Sequence, residues 1–79
     1  MPDAKLPPLI VARKGQYRHY KGLHYQVIDT VRHSETLESM TLYRALYGEQ
    51  ALWVRPSAMF DEVVLVDGVA QPRFTWLSD

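Results

Sequence analysis

The chain has no cysteine, so neither a disulfide framework nor a thiolate metal site is available to staple it. It also lacks long hydrophobic runs. The longest uncharged apolar stretch is about four residues, against the roughly 20 that a membrane-crossing helix needs. The opening residues, MPDAKLPPLIVARKG, carry neither the roughly 7–15-residue apolar core nor the small-residue cleavage site of a secretory signal. A soluble, cytoplasmic protein with no membrane partner is the expectation. An excess of charge of one sign is missing too: nine Lys and Arg balance nine Asp and Glu, which argues against a strong electrostatic nucleic-acid binder. No glycine-rich phosphate loop is present, so nucleotide triphosphate chemistry has no support. No amphipathic stretch of about 12 residues exists, which excludes a helical bundle.

What is present is material for one small core. The 79 residues suit a single domain, and 47% of them are hydrophobic, including two Trp, five Tyr and two Phe. Residues 1–14 hold Pro2, Pro7 and Pro8 and read as a tail, because Pro7-Pro8 blocks regular hydrogen bonding. Leu9, Ile10 and Val11 are apolar enough to dock on something. Residues 15–79 form the domain. Tyr17–Tyr20 is a short strand closed by Lys21-Gly22. Tyr25, Val27, Asp29 and Val31 then alternate with Gln26, Ile28, Thr30 and Arg32 as the two faces of a second strand. Residues 33–39 form a polar loop, Met40–Tyr47 a third strand, and Leu52–Arg55 a fourth that stops at Pro56. Ser57–Phe60 can make one helical turn that plugs the core with Met59 and Phe60. Val63–Val66 reads as a buried strand, Asp67-Gly68 as a hairpin turn, and Phe74–Leu77 as a last strand. Five or six short strands with one helical turn predict a mainly β fold, a small SH3-like barrel or rolled sheet.

Several blocks carry a resemblance. Tyr17-Arg18-His19-Tyr20-Lys21-Gly22, His33-Ser34-Glu35-Thr36, Tyr43-Arg44 with Leu46-Tyr47-Gly48, Leu52-Trp53-Val54-Arg55-Pro56 with Met59-Phe60, and Pro72-Arg73-Phe74 resemble a small bacterial family catalogued as domain of unknown function 1653. The likeness covers nearly all of residues 15–76. It implies a compact SH3-like β-barrel and no established activity. Gln50-Ala51, before Leu52, departs from the usual tight polar turn.

The chemistry-bearing residues are few. A two-residue turn at Lys21-Gly22 would face His19 with His24, and Glu35 could complete a two-His, one-carboxylate set. A longer turn would separate the imidazoles, and no His-x-His or His-x3-His spacing supports a metal, so no cofactor is expected. His33, Ser34 and Glu35 are consecutive and diverge, which makes a poor local triad. Glu35 has a structural role open to it, pairing with Arg44 or Arg55 across the loop. The most suggestive set interleaves aromatics with arginines, namely Arg18, Tyr20, Tyr43, Tyr47, Trp53 and Arg55, in the manner of stacking platforms on small barrels. Two packings of the fourth strand are compatible with its alternation. Either Leu52 and Val54 line the core and Trp53 and Arg55 face solvent, or the faces are exchanged.

Charge is also unevenly spread. Residues 1–32 hold six basic groups against two acids, and residues 33–79 hold three against seven. The leading expectation is a non-catalytic binding module whose aromatic–basic face receives a linear or anionic ligand, a peptide or single-stranded RNA. The candidate contacts are Arg18, Tyr20, His33, Glu35, Tyr43, Arg44, Trp53 and Arg55. The alternative is an enzyme or metal site at a homodimer seam around His33, Glu35, Tyr43 and Arg44. A third possibility is an assembly role in which Leu9–Val11 or Phe74–Leu77 completes a neighbour's sheet.

Overall fold

The computed structural model describes residues 6–60 and 62–79. Seven strands and one helical turn follow in the order β1 (Gly15–His19), β2 (His24–Arg32), β3 (Ser39–Ala45), β4 (Leu52–Pro56), α1 (Ser57–Phe60), β5 (Val63–Val66), β6 (Val69–Pro72) and β7 (Phe74–Ser78). Five of them form an antiparallel sheet in the order β4-β3-β2-β1-β7, while β5 and β6 pair as a separate ribbon. The mainly β expectation and the helical turn after Pro56 hold. A closed barrel does not form among the described residues. The strands lying between β4 and β7 in sequence satisfy their hydrogen bonds on each other, so β4 and β7 remain the outer strands of an open sheet.

The first hairpin fixes which aromatics meet. His19 N–H donates to the Leu23 carbonyl at 2.8 Å and Gly22 N–H to the His19 carbonyl at 2.7 Å. The loop is therefore three residues, Tyr20-Lys21-Gly22, with Gly22 at φ 101° taking the left-handed position that ends such a turn. Tyr17 is set opposite Tyr25 and Arg18 opposite His24. His19 and His24 consequently face opposite sides of the sheet, and the metal set imagined for them is not assembled.

The inner face carries the core: Tyr17, Val27, Tyr43 and Phe74 from the sheet, Phe60 from α1 and Ala12 from the tail. Phe60 stacks on Phe74 with ring centroids 4.2 Å apart, and Tyr17 meets Phe60 edge-on at 5.4 Å. Phe60 is the plug, whereas Met59 turns outward. Beneath α1, Ser57 Oγ lies 3.0 Å from Ser39 Oγ and 3.1 Å from Thr41 Oγ1. Ser39 Oγ in turn accepts from the Ile10 N–H and donates to the Ile10 carbonyl, which ties the tail to β3. Tyr17 O–H donates to the Arg13 carbonyl, Trp76 Nε1–H to the Lys14 carbonyl, and the Arg13 guanidinium stacks 3.5 Å above the Trp76 ring. Residues 6–14 thus have no regular structure, as the prolines require, and are docked all the same. Met1–Lys5, including Pro2, lie outside the described residues.

Three expectations need correction. Simple alternation along β2 fails because the register with β3 slips between Val27 and Asp29, so Thr30 pairs with inward Thr41 while Asp29 pairs with Leu42. β4 does not stop before Pro56. Ala45 N–H bonds the Ala51 carbonyl, and strict alternation from that pair points Leu52, Val54 and Pro56 main-chain groups away from β3. Proline's missing N–H is therefore not needed there. Val63–Val66 is not a buried strand: Val63 and Leu65 are 64% and 74% exposed and Val64 and Val66 are half-buried, because the ribbon leaves one of its faces uncovered.

Candidate functional site

At the end of the sheet where the first hairpin turns, the inner face ends in a cluster of rings. Tyr25 is its centre, with Tyr43 and Tyr47 each 5.5 Å away edge-on, Phe74 at 5.6 Å and His19 at 6.1 Å. His19 also meets Phe74 at 5.0 Å and Tyr20 at 4.5 Å. The register explains the grouping. Tyr25 sits opposite Tyr17 and Ala45, and His19 lies opposite Phe74 on β7. Tyr43 sits opposite Trp53 and Thr41 opposite Arg55, which puts Trp53 and Arg55 on the inner side of β4. The Arg55 guanidinium lies 6.0 Å from the Phe74 ring.

Cations converge on these rings. Burial lowers the pKa of His19 first, and Arg73, Lys21 and Arg55 push it down further. Its Nδ1 accepts the Lys21 backbone N–H at 3.1 Å, which leaves Nε2–H as the donor of the neutral ring. Tyr25 is pushed up to about 12 by burial, by its 2.8 Å hydroxyl contact with Tyr47 and by the neighbouring phenols, against the opposing pull of Arg55. At neutral pH the site therefore presents an uncharged imidazole and phenol among permanent cations. Arg73 Nη2 reaches Glu62 Oε1 at 3.2 Å, while its Nε is buried without a partner. Among the described residues, neither Arg55 nor Lys21 has a carboxylate within ion-pair distance. Beside Trp53, a concavity of about 300 Å³ is lined by Tyr47 and the Gly48–Ala51 turn.

The residues expected from sequence divide sharply. Tyr43, Trp53 and Arg55 lie together on adjacent strands, and Tyr20 stands near them against His19. Tyr43 is a core residue, whereas Trp53 is 56% exposed. Of the two orientations envisaged for β4, the one with Trp53 and Arg55 inward is found, but without a buried anchor, since Trp53 is as exposed as Leu52 and Val54. Arg18 pairs with His24 and Thr75 on the outer face, and Arg44 lies opposite Leu52 on that same side, its Nη1 donating to the Gln50 carbonyl at 2.8 Å. His33 and Glu35 are at the other end of β2, six residues or about 20 Å from Val27, the partner of Tyr43. There His33 Nδ1 accepts the Glu35 and Thr36 backbone N–H groups and holds the loop's shape. Among the described residues, the Glu35 carboxylate pairs with neither Arg44 nor Arg55. Within one chain, His33, Glu35, Tyr43 and Arg44 are not brought together.

Sequence reasoning missed the roles of His19, Tyr25, Phe74 and Arg73 in this cluster. The usable signal was Gly22. A three-residue loop ending on glycine pairs Tyr17 with Tyr25 and keeps His19 on their side.

The sequence profile of the family described as "Protein of unknown function (DUF1653)" matches residues 15–76. The chain belongs to this family. A crystal structure of a DUF1653 protein from Bordetella bronchiseptica shares its fold with a TM-score of 0.79 at 35% identity, over 85% of this chain and 88% of that one. A comparison with curated proteins finds no match. The matched residues span the whole ring cluster, from His19 to Arg73 and Phe74, and leave the docked tail outside. No described helix is long and apolar enough to cross a membrane.

Proposed function

We propose that this DUF1653 protein is a small, non-catalytic binding module, SH3-like in use, whose aromatic–basic end receives a linear anionic ligand. The observation that carries the reading is the convergence of Arg55, Arg73 and Lys21 on the His19–Tyr25–Phe74 rings, with Glu62 the one described carboxylate paired among them. Arginine suits this task because its planar fork binds carboxylate and phosphate alike and stacks on rings. The contacts in this reading are His19, Tyr20, Tyr47, Trp53, Arg55 and Arg73. Arg18, Arg44, His33 and Glu35 fall outside it. The ring cluster favours an extended ligand over a deeply enclosed one, since Tyr47 and Trp53 stand open to solvent.

The test is an amide NMR titration of labelled protein with short single-stranded RNA and, separately, with acidic peptides, at low and moderate salt. Shifts at His19, Tyr25, Trp53, Arg55 and Arg73, reduced at least tenfold in affinity by Arg55→Ala, are the expected result. A steep loss with salt marks phosphate contacts, and a shallow one marks a peptide. Absence of shifts with both ligands up to millimolar concentration would refute the reading.

A further inference from the structure

β4 is an outer strand, and over Leu52–Val54 it lacks the features that usually close such an edge. It carries no lysine, shows no bulge against β3, and meets proline only at its last residue. The other outer strand, β7, is bulged against β1 and crossed by the tail at Trp76. The alternation set by the Ala45–Ala51 bond turns the N–H and carbonyl groups of Leu52 and Val54 toward the open side. No described residue's main chain pairs with them. Leu52, Trp53 and Val54 are each more than half exposed, at 52%, 56% and 52%. Their side chains alternate, with Trp53 and Arg55 on the inner side toward the rings and Leu52 and Val54 on the outer side.

We propose that the open edge of β4 receives an extended peptide as a sixth strand of the sheet, with an acidic side chain against Arg55 and an apolar one against Trp53. The proposal rests on the reading of the ring cluster as a site for a linear anionic ligand, and it names the ligand class and the mode of binding. Charge selects the occupant: Arg55 has no carboxylate partner among the described residues, and Lys21 and Arg73 lie on the same side of its neighbourhood. A strand added beside β4 places residues two apart opposite Trp53 and Arg55. The ligand therefore carries an apolar and an acidic residue, two apart, on its inner face. Its outer face is apolar, meeting Leu52 and Val54. Main-chain hydrogen bonds supply affinity and the alternate side chains supply selection, as in other cases of strand addition. Pro56, which offers no N–H, sets the end of the pairing.

The experiment titrates the full-length labelled protein with a capped seven-residue peptide of Val, Ile and Thr bearing one Glu two residues from an Ile. Two counterparts are run beside it, one with Lys in place of Glu and one N-methylated on alternate residues. The expected result is slowed amide exchange at Leu52 and Val54, with roughly tenfold weaker binding of both counterparts. The Val54→Pro variant removes an outward N–H and leaves the β3 ladder whole, so it should melt near the parent and lose the peptide. If that variant fails to fold, the N-methylated peptide still decides the question. Equal binding of the methylated peptide, or shifts confined to His19, Tyr25 and Arg73, would overturn strand addition and leave the anionic site standing. Protection of Leu52 and Val54 without peptide, with a doubled mass by light scattering, would overturn it in favour of a second copy of the chain. Binding of RNA alone would overturn it too. Silence with every probe would sink both the edge and the site.

Discussion

Among single residues, His19 is the one whose ionisation is tied most directly to the site. Burial, Arg73, Lys21 and Arg55 all disfavour its imidazolium in the folded protein. The unfolded chain therefore binds the proton more tightly, near the ordinary value of 6.5. The stability that neutral His19 permits is complete above that pH and is lost as pH falls toward the lowered folded value. The urea midpoint should decline on acidification below pH 6.5, and His19→Gln should flatten that part of the profile. An anion bound at Arg55 and Arg73 would favour the imidazolium again, so anion affinity should rise over the same acid range. Affinity independent of pH there would separate His19 from the site. Gly15 is decided by backbone rather than charge. Its φ is 133°, and a methyl group there would run into the Ser78 carbonyl oxygen and lie 2.9 Å from Trp76 Nε1. Gly15→Ala should cost about 1–3 kcal/mol in urea denaturation. Gly22→Ala, at φ 101° with open space around it, should cost less, about 1 kcal/mol.

At the scale of elements, the contact between α1, β3 and the tail is a hydroxyl relay. Thr41 can donate to Ser57, Ser57 to Ser39, and Ser39 to the Ile10 carbonyl, which gives every hydroxyl an acceptor. Ser57 and Thr41 are almost wholly shielded from water. Ser57→Ala breaks the relay in its middle and leaves Thr41 without its acceptor, so a loss of about 1–3 kcal/mol is expected by thermal or urea unfolding. The same change should loosen the tail, seen as faster amide exchange at Ile10, since Ser39 is then held from one side only. The β5–β6 ribbon behaves differently. Its Asp67-Gly68 turn has positive φ at both residues, 52° and 79°, as a tight hairpin of this twist requires.

For the whole molecule, the ribbon and the sheet edge are two of the places where apolar surface is left uncovered among the described residues. Val63, Leu65, Ala70 and Pro72 share one face of the ribbon by register, and all four are exposed. Because that face packs on nothing within the chain, Leu65→Lys should leave the urea midpoint unchanged to within about 0.5 kcal/mol. A larger fall would show that the face is covered in solution. The open sheet also sorts the charge asymmetry of the sequence. Lys21 from the basic first segment is brought near Arg55 and Arg73 from the acidic remainder, while Asp29 meets Lys14 at 3.9 Å on the surface. Net neutrality thus coexists with a basic aromatic end.

Local chemistry, legible in the chain itself, determined most of the strands, the helical turn after Pro56, the Asp67-Gly68 hairpin, the lack of regular structure in residues 6–14 and the family. Each depends on neighbours in sequence: β-branched and aromatic runs, proline's fixed φ, glycine's access to positive φ. Tertiary structure alone decided whether the sheet closes, which face each strand of the site presents, and which aromatics meet. Those outcomes rest on register, and one residue of slip exchanges the two faces of a strand, as the break between Val27 and Asp29 does in β2. The pattern of β4 was compatible with either side inward because an outer strand buries neither face fully. The site assembled from His19, Tyr25, Arg55, Arg73 and Phe74 draws on four separate strands and on the link before β7. No spacing along the chain encodes that meeting, because it is made by cross-strand pairing over as many as 55 positions in sequence, from His19 to Phe74.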